Sequence, residues 1–256
     1  MPLDQELDSP EPKEGMPLLK HLDQMRSTVL YCLAALLAGS LAMALFLPFI
    51  ATFLKWPLVW AGGSEVQLYT TSIMGVFVVA LKVCLLGGLG VSLPLMLYFI
   101  ARFIAPGLTA RELALLRPAC CFVFILFVVG AVFSFFVLVP ASIRAALFLN
   151  EQLGYTEIWT ADRYYGLLTW MVFGVGLVFE LPLIIILLVY AGLVTHGQLV
   201  RFRPYSVLVF LGLAAVITPT TDPFTFILLA APMALLYEIA LRVARGIERH
   251  AKVLET

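Results

Sequence analysis

From Trp170 to Tyr190 the chain runs 21 residues with a single charge, Glu180. At 1.5 Å per residue, an apolar helix of that length crosses the ~30 Å hydrocarbon core of a bilayer. A carboxyl near its middle costs roughly 2.5–3.5 kcal/mol on insertion scales, so such groups face a protein interior or a wet cavity. The run therefore describes a polytopic membrane protein with something polar to handle at bilayer depth. The plainer alternative is an interior, hydrogen-bonded carboxyl that only fixes helix packing.

The rest of the chain agrees with a membrane class. Hydrophobic residues make up 62% of the 256 and charged residues only 12%, against about 25% charged in a soluble domain. Spans and short connections occupy nearly all the length, so a separate soluble domain is not expected. Zero formal net charge leaves no global field to attract nucleic acid. Cys32, Cys84, Cys120 and Cys121 all fall in apolar runs without CxxC or Cys/His spacing, and read as packing residues. No metal or cofactor is expected. The polar Met1–Lys20 stretch and the long first apolar run do not resemble a cleavable leader.

Six apolar segments can be drawn, at about 28–50, 74–100, 117–140, 164–190, 205–219 and 223–241. The last two are short, and Pro204 and Pro219 bracket the fifth, leaving ~22 Å of helix. Lys13, Lys20, Arg26, Arg102, Arg111, Arg117, Arg201, Arg203, Arg242, Arg245, Arg249 and Lys252 fall on one side. Only Lys55, Arg144 and Arg163 fall on the other. The positive-inside rule then makes both termini cytoplasmic, with Trp56, Trp60, Trp159 and Trp170 toward the external interface. Pro94, Pro140, Pro182 and Pro232 predict bent helices and a concave, cupped, all-α bundle. The domain division is a disordered cytoplasmic tail over 1–16, one six-span domain over 17–241, and a cytoplasmic tail over 242–256.

Short motifs punctuate the connections. Leu18-Leu19-Lys20-His21-Leu22-Asp23-Gln24-Met25-Arg26 has leucines at helical spacing and reads as a surface amphipathic helix or as a plain positive flank. Pro106-Gly107 ends a helix; Thr109 and Glu112 then have capping-box spacing, though Glu112 equally suits a ligand-binding carboxylate. Asp222 before Pro223 reads as a turn and N-cap. Lys82 either snorkels to the interface or pairs with an acid in a cavity.

Taken in order, these pieces resemble the TatC family, the multispanning receptor subunit of the twin-arginine protein translocase. The likeness covers about residues 17–245. It is carried by His21-Leu22 with Arg26, by the spacing from Lys82 to Pro94, Tyr98 and Phe103-Ile104-Ala105-Pro106, and by Glu112. Further support comes from Phe173-Gly174, Phe179-Glu180-Leu181-Pro182, Arg203-Pro204-Tyr205, Thr218-Pro219, Asp222, and Ala230-Ala231-Pro232 with Tyr237-Glu238-Ile239.

The resemblance implies export of folded proteins across the inner membrane of a prokaryote, driven by the proton-motive force. It implies docking of twin-arginine signal peptides at the cytoplasmic face, through Asp23, Gln24, Arg26, Phe103 and Glu112. It also implies small single-span TatA/TatB-type partners and self-association, with Glu180, Lys82, Asp222 and Phe226 as intramembrane polar or partner-contact positions. Glu180 would open onto the external concavity. Four positions depart from the family pattern. Gln24 stands where the family has an acid, and a neutral hydrogen bond is worth about 1 kcal/mol against ~1.5–3 for a charged one. Phe99 and Ala101 replace Gln and Trp, and Phe226 replaces a Gln early in span six.

The competing reading is a proton-coupled small-solute transporter with Glu180 as proton carrier. It predicts a second intramembrane polar group, for which only Lys82 qualifies. An intramembrane hydrolase is disfavoured, because no GxSG, HExxH or intramembrane His occurs. A non-enzymatic translocase subunit is the expected function.

Overall fold

A computed structural model describes residues 18–62, 67–107, 110–155, 158–190, 192–218 and 223–254. Lipid offers no partners to backbone amides, so each apolar run folds as helix. α1 covers Leu18–Ala44, and two short helices follow, α2 (Leu47–Leu54) and α3 (Trp56–Gly62). α4 (Ile73–Ile104) ends in a 3-10 turn, Ala105–Gly107. α5 (Ala110–Phe133) passes through a π turn, Ser134–Leu138, into α6 (Val139–Leu153). α7 (Ala161–Val178) and α8 (Leu181–Tyr190) make one broken span, followed by α9 (His196–Ile217) and α10 (Pro223–Leu254). Among the described residues six stretches are long and apolar enough to cross a membrane, as the sequence predicts. An even number of crossings puts the start of α1 and the end of α10 on one face, the terminal face.

Several boundaries differ from expectation. The sixth span, expected to be short and to end near 241, continues as helix to Leu254, because no Pro follows residue 241 to stop it. The first span stops at Ala44, because the chain turns at Leu45-Phe46 and Pro48 opens α2; the remaining apolar residues form a cap on the opposite face. Leu18–Arg26 is the first part of α1 rather than a separate surface helix. Pro204 does not bound the fifth helix: α9 starts at His196 under a Thr195/Gln198 capping box and runs through Pro204. Only the apolar stretch after Pro204 is short, ~21 Å within a helix of ~33 Å. Residue Val200, whose carbonyl Pro204 leaves without its helical donor, is exposed.

Proline chemistry explains the other irregularities. Pro140 has no N–H, and directly before it Val139 N–H bonds Ser134 O in the π pattern. Pro182 stands two residues past the α7–α8 break, where Glu180 N–H reaches back to Leu177 O at 3.1 Å.

The helices form an open row rather than a closed bundle. α7 is central: Tyr164, Leu168, Met171 and Val175 lie on one stripe and are wholly buried. α4 and α5 pack against it, α8 meets α10, and α9 lies against α10. α1 packs on α4, and of its described residues only Ala35 and Ser40 are buried. Small residues allow the closest approaches, as membrane helices require. A Cβ built on Gly88 lies 2.5 Å from Ser40 N, and one built on Gly176 lies 2.7 Å from the Phe127 ring.

The opposite face is tied down by aromatic and polar contacts. Tyr164 and Tyr165 hydroxyls donate to Leu54 O (2.6 Å) and Ala51 O (2.9 Å), the terminal carbonyls of α2. Arg144 lies 4.5 Å over the Trp60 ring. Tyr69 bridges by backbone bonds to Trp159 and Ala161 at the start of α7. Trp170 lies in the third turn of α7 and is exposed.

Candidate functional site

The register of α1 on α4 sets residues expected to dock a signal peptide near one another. The two helices are antiparallel, with Tyr31 against Phe99 (ring centroids 5.3 Å), Cys32 Sγ 3.8 Å from Met96 O, and Gly39 against Gly88 and Ser92. Counting two turns outward from Tyr31 and Phe99 reaches Gln24 on one helix and Pro106 on the other. Asp23, Gln24 and Arg26 therefore stand level with Phe103 and the Ala105–Gly107 turn, on the terminal face.

Asp23 and Arg26 are exposed, while Gln24 is half-buried with its Oε1 lacking a hydrogen-bond partner among the described residues. Phe103 is half-buried in the last turn of α4. Glu112 occupies the third position of α5; its side chain and Thr109 lie outside the described residues.

Below this cluster a groove of about 570 Å³ runs between α4 and α5. Pro94, Tyr98 and Ala101 line one wall, and Leu116, Cys120 and Phe124 the other. Residue 112 stands one turn before Leu116 on the same helix. Ala101 stands where the resemblance leads one to expect a Trp, and its short side chain leaves width that a Trp would fill. The groove was not visible in the sequence, because it depends on how two helices diverge from the 105–107 turn.

Glu180 sits at the break between α7 and α8, immediately before the positive end of the α8 dipole. It is 8% exposed, and both carboxyl oxygens are covered without a hydrogen-bond partner among the described residues. The backbone of Phe127 on α5 lies beside it, short of full hydrogen-bond geometry. The expectation that this carboxyl opens onto a wet hollow is corrected: α5 closes over it. The cause is the tight α5–α7 crossing, where Gly176 faces the Phe127 ring and Gly130 faces Phe179. Nor does the carboxyl point into lipid.

Lys82 does not pair with Glu180. Its Nζ lies 2.6 Å from Asp162 Oδ1 and 3.1 Å from Asp162 O, at the start of α7. A Cβ at residue 166 would come within 3.1 Å of that ammonium, so Gly166 makes the room. Asp162 was hidden in the sequence by its neighbour Arg163, although adjacent helix residues do not face each other. Phe226 is half-buried and packs against the core. Asp222 lies outside the described residues. Two motifs far apart in sequence also meet: Arg203 Nε is 2.5 Å from Glu238 Oε1.

Known proteins give the same picture. The family model for Sec-independent protein translocase protein (TatC) matches residues 20–232. The Sec-independent protein translocase protein TatC of Aquifex aeolicus is 31% identical over 94% of this chain and 99% of its own length. That of Synechocystis is 32% identical over 87% of this chain and 85% of its own. A crystal structure of the twin arginine translocase receptor TatC superposes with a TM-score of 0.75, at 30% identity, over 89% of this chain and 99% of that one. On six membrane-length helices and these matches together, the chain belongs to the TatC family, as a multi-pass, non-enzymatic component of the Sec-independent protein translocase.

Proposed function

We propose that this chain is the receptor that docks twin-arginine signal peptides on the terminal face, with that face cytoplasmic and the protein in the inner membrane of a prokaryote. The observation that carries this reading is one juxtaposition: Asp23 and Gln24 stand level with the 105–107 turn, and α5 opens with Glu112 at the mouth of the α4–α5 groove. Paired guanidiniums require acceptors in fork geometry, and Asp23 with Gln24 Oε1, which has no partner among the described residues, offers them beside the helix that carries Glu112. The apolar groove beneath is suited to the hydrophobic stretch that follows the arginines. The twelve-to-three distribution of cations supports the orientation. Single-span TatA/TatB-type subunits then complete the path for folded cargo, driven by the proton-motive force. Both oxygens of Glu180 lack a hydrogen-bond partner among the described residues, which supports a role in meeting polar groups on an incoming helix.

A proton-coupled transporter is less well supported. Lys82, the second polar group that reading needs, is engaged by Asp162 rather than by Glu180.

The test places a photo-crosslinker at residue 24 or 112 and presents a signal peptide. Capture is expected at both, falling when the two arginines become lysines. Absence of capture at both sites, or uptake of a small solute by the chain alone in liposomes, would overturn the assignment. Gln24→Glu should strengthen capture, since it restores a charged acceptor.

A further inference from the structure

α9 and α10 leave a second groove between them, about 480 Å³ in volume, also toward the terminal face. It lies on the side away from the core. Tyr237 turns inward, its hydroxyl on Leu199 O at 2.9 Å and its ring edge-on to Phe210. Its neighbours turn outward.

The groove has two chemically different ends. Arg203, Glu238 and Arg242 form the outer end. Arg203 is the last charge before the apolar part of α9, and Arg242 the first cation after the apolar part of α10. Both cations therefore stand where hydrocarbon gives way to headgroups. One or two turns deeper the walls are Val207, Leu235 and Ile239, all exposed large apolar side chains.

Charge decides what the outer end prefers. Glu238 is engaged by Arg203 Nε, while most of the Arg203 side chain remains exposed. Arg242 is exposed and makes no ion pair among the described residues. Two cations against one carboxylate leave the site at net +1, with exposed guanidinium donors in a geometry that suits phosphate oxygens. A headgroup carrying its own ammonium brings a charge the site has no free partner for, because Glu238 is already taken.

We propose that this groove is a binding site for one anionic phospholipid, its phosphate held between Arg203 and Arg242 and an acyl chain lying along Val207, Leu235 and Ile239. The assignment is independent of the signal-docking reading and of which face is cytoplasmic.

Native mass spectrometry of the full chain, released from micelles doped with phosphatidylglycerol, phosphatidylethanolamine or phosphatidylcholine, tests it. One phosphatidylglycerol should be retained in preference to either zwitterionic lipid. Arg242→Gln should weaken that retention about fivefold, the factor that one cation near an anionic surface contributes. Glu238→Gln should strengthen it by a similar factor, because it frees the Arg203 guanidinium. Val207→Trp should weaken it without changing charge, by filling the acyl track. Opposite responses to Arg242→Gln and Glu238→Gln separate a binding role from a structural one, which would move both in the same direction. Equal retention of the three lipids, displacement by excess inorganic phosphate, or a crosslinker at Leu235 that captures only protein in native membranes would each overturn the proposal.

Discussion

Replacing Gly88 by Ala should pry α1 from α4. The added Cβ falls 2.4 Å from Ser40 Oγ, 2.5 Å from Ser40 N and 2.6 Å from Ser40 Cα. Carbon contacts relax only at ~3.5–4.0 Å, so one helix must move by about 1 Å. Two of the three obstructing atoms are backbone, so no side-chain rotation relieves them. Overpacking of this kind costs ~1–3 kcal/mol. The gain in helix propensity from Gly to Ala, about 0.5–1 kcal/mol, offsets part of that. Gly90 supplies the control: it lies on the same helix, and its Cβ would meet nothing within 4 Å. Gly90→Ala should thus be neutral or stabilising, while Gly88→Ala destabilises by ~1–2 kcal/mol. Unfolding in detergent, followed by a thiol-reactive dye, reports the difference, since Cys84 is buried one turn away. Signal capture at residue 24 should fall with Gly88→Ala, because α1 keeps its register mainly through α4. Equal melting temperatures for the two variants would refute the close-packing argument.

Other consequences can be checked in the same assays. Tyr164→Phe removes the donor to Leu54 O from a fully buried site and should lower stability by ~1–2 kcal/mol, read from thermal unfolding. Asp162→Asn should cost less than about 1 kcal/mol, because Lys82 and Asp162 keep partial access to solvent; a larger loss would mean the pair is structurally central. Glu180→Gln should impair transport more than signal docking, and equal loss in both assays would reduce Glu180 to a packing residue. Ala101→Trp should narrow the α4–α5 groove and weaken crosslinking of the signal's apolar stretch, with no effect on unfolding temperature.

The number of spans and their order were legible because membrane-length apolar runs leave the backbone no alternative to helix. What escaped were features set by tertiary geometry. Leu47–Gly62 is as apolar as a span, yet Pro48 and the Leu45-Phe46 turn lay it across the opposite face as two short helices. Pro204 looked like a boundary, but the capping box at Thr195 starts α9 two turns earlier. Asp23, Gln24 and Glu112 were identifiable as residues; the groove between α4 and α5 depends on the angle between those helices, to which no residue pattern corresponds. Arg203 and Glu238 were each visible as motif pieces, while their pairing required α9 and α10 to be set side by side.

Two ionisable side chains within the spans, half-buried Lys82 and buried Glu180, end in opposite situations. Lys82 has a carboxylate, a carbonyl and a glycine notch arranged around it. Glu180 has an apolar joint, no hydrogen-bond partner among the described residues, and a broken helix on which it is the hinge residue. Leaving a buried acceptor unsatisfied costs about 1–3 kcal/mol, and more if it is charged. Packing alone gives no reason for that cost, since an apolar side chain would fill the same joint better. The break also falls just before Pro182, where the helix has already lost a donor, which makes it a weak point of the span. An unsatisfied acceptor at a weak point of the central span is the arrangement expected if its partner arrives from outside the chain. On the function proposed above, that partner is a polar group on an incoming helix, which would reach Glu180 only if α5 and the α7–α8 break part.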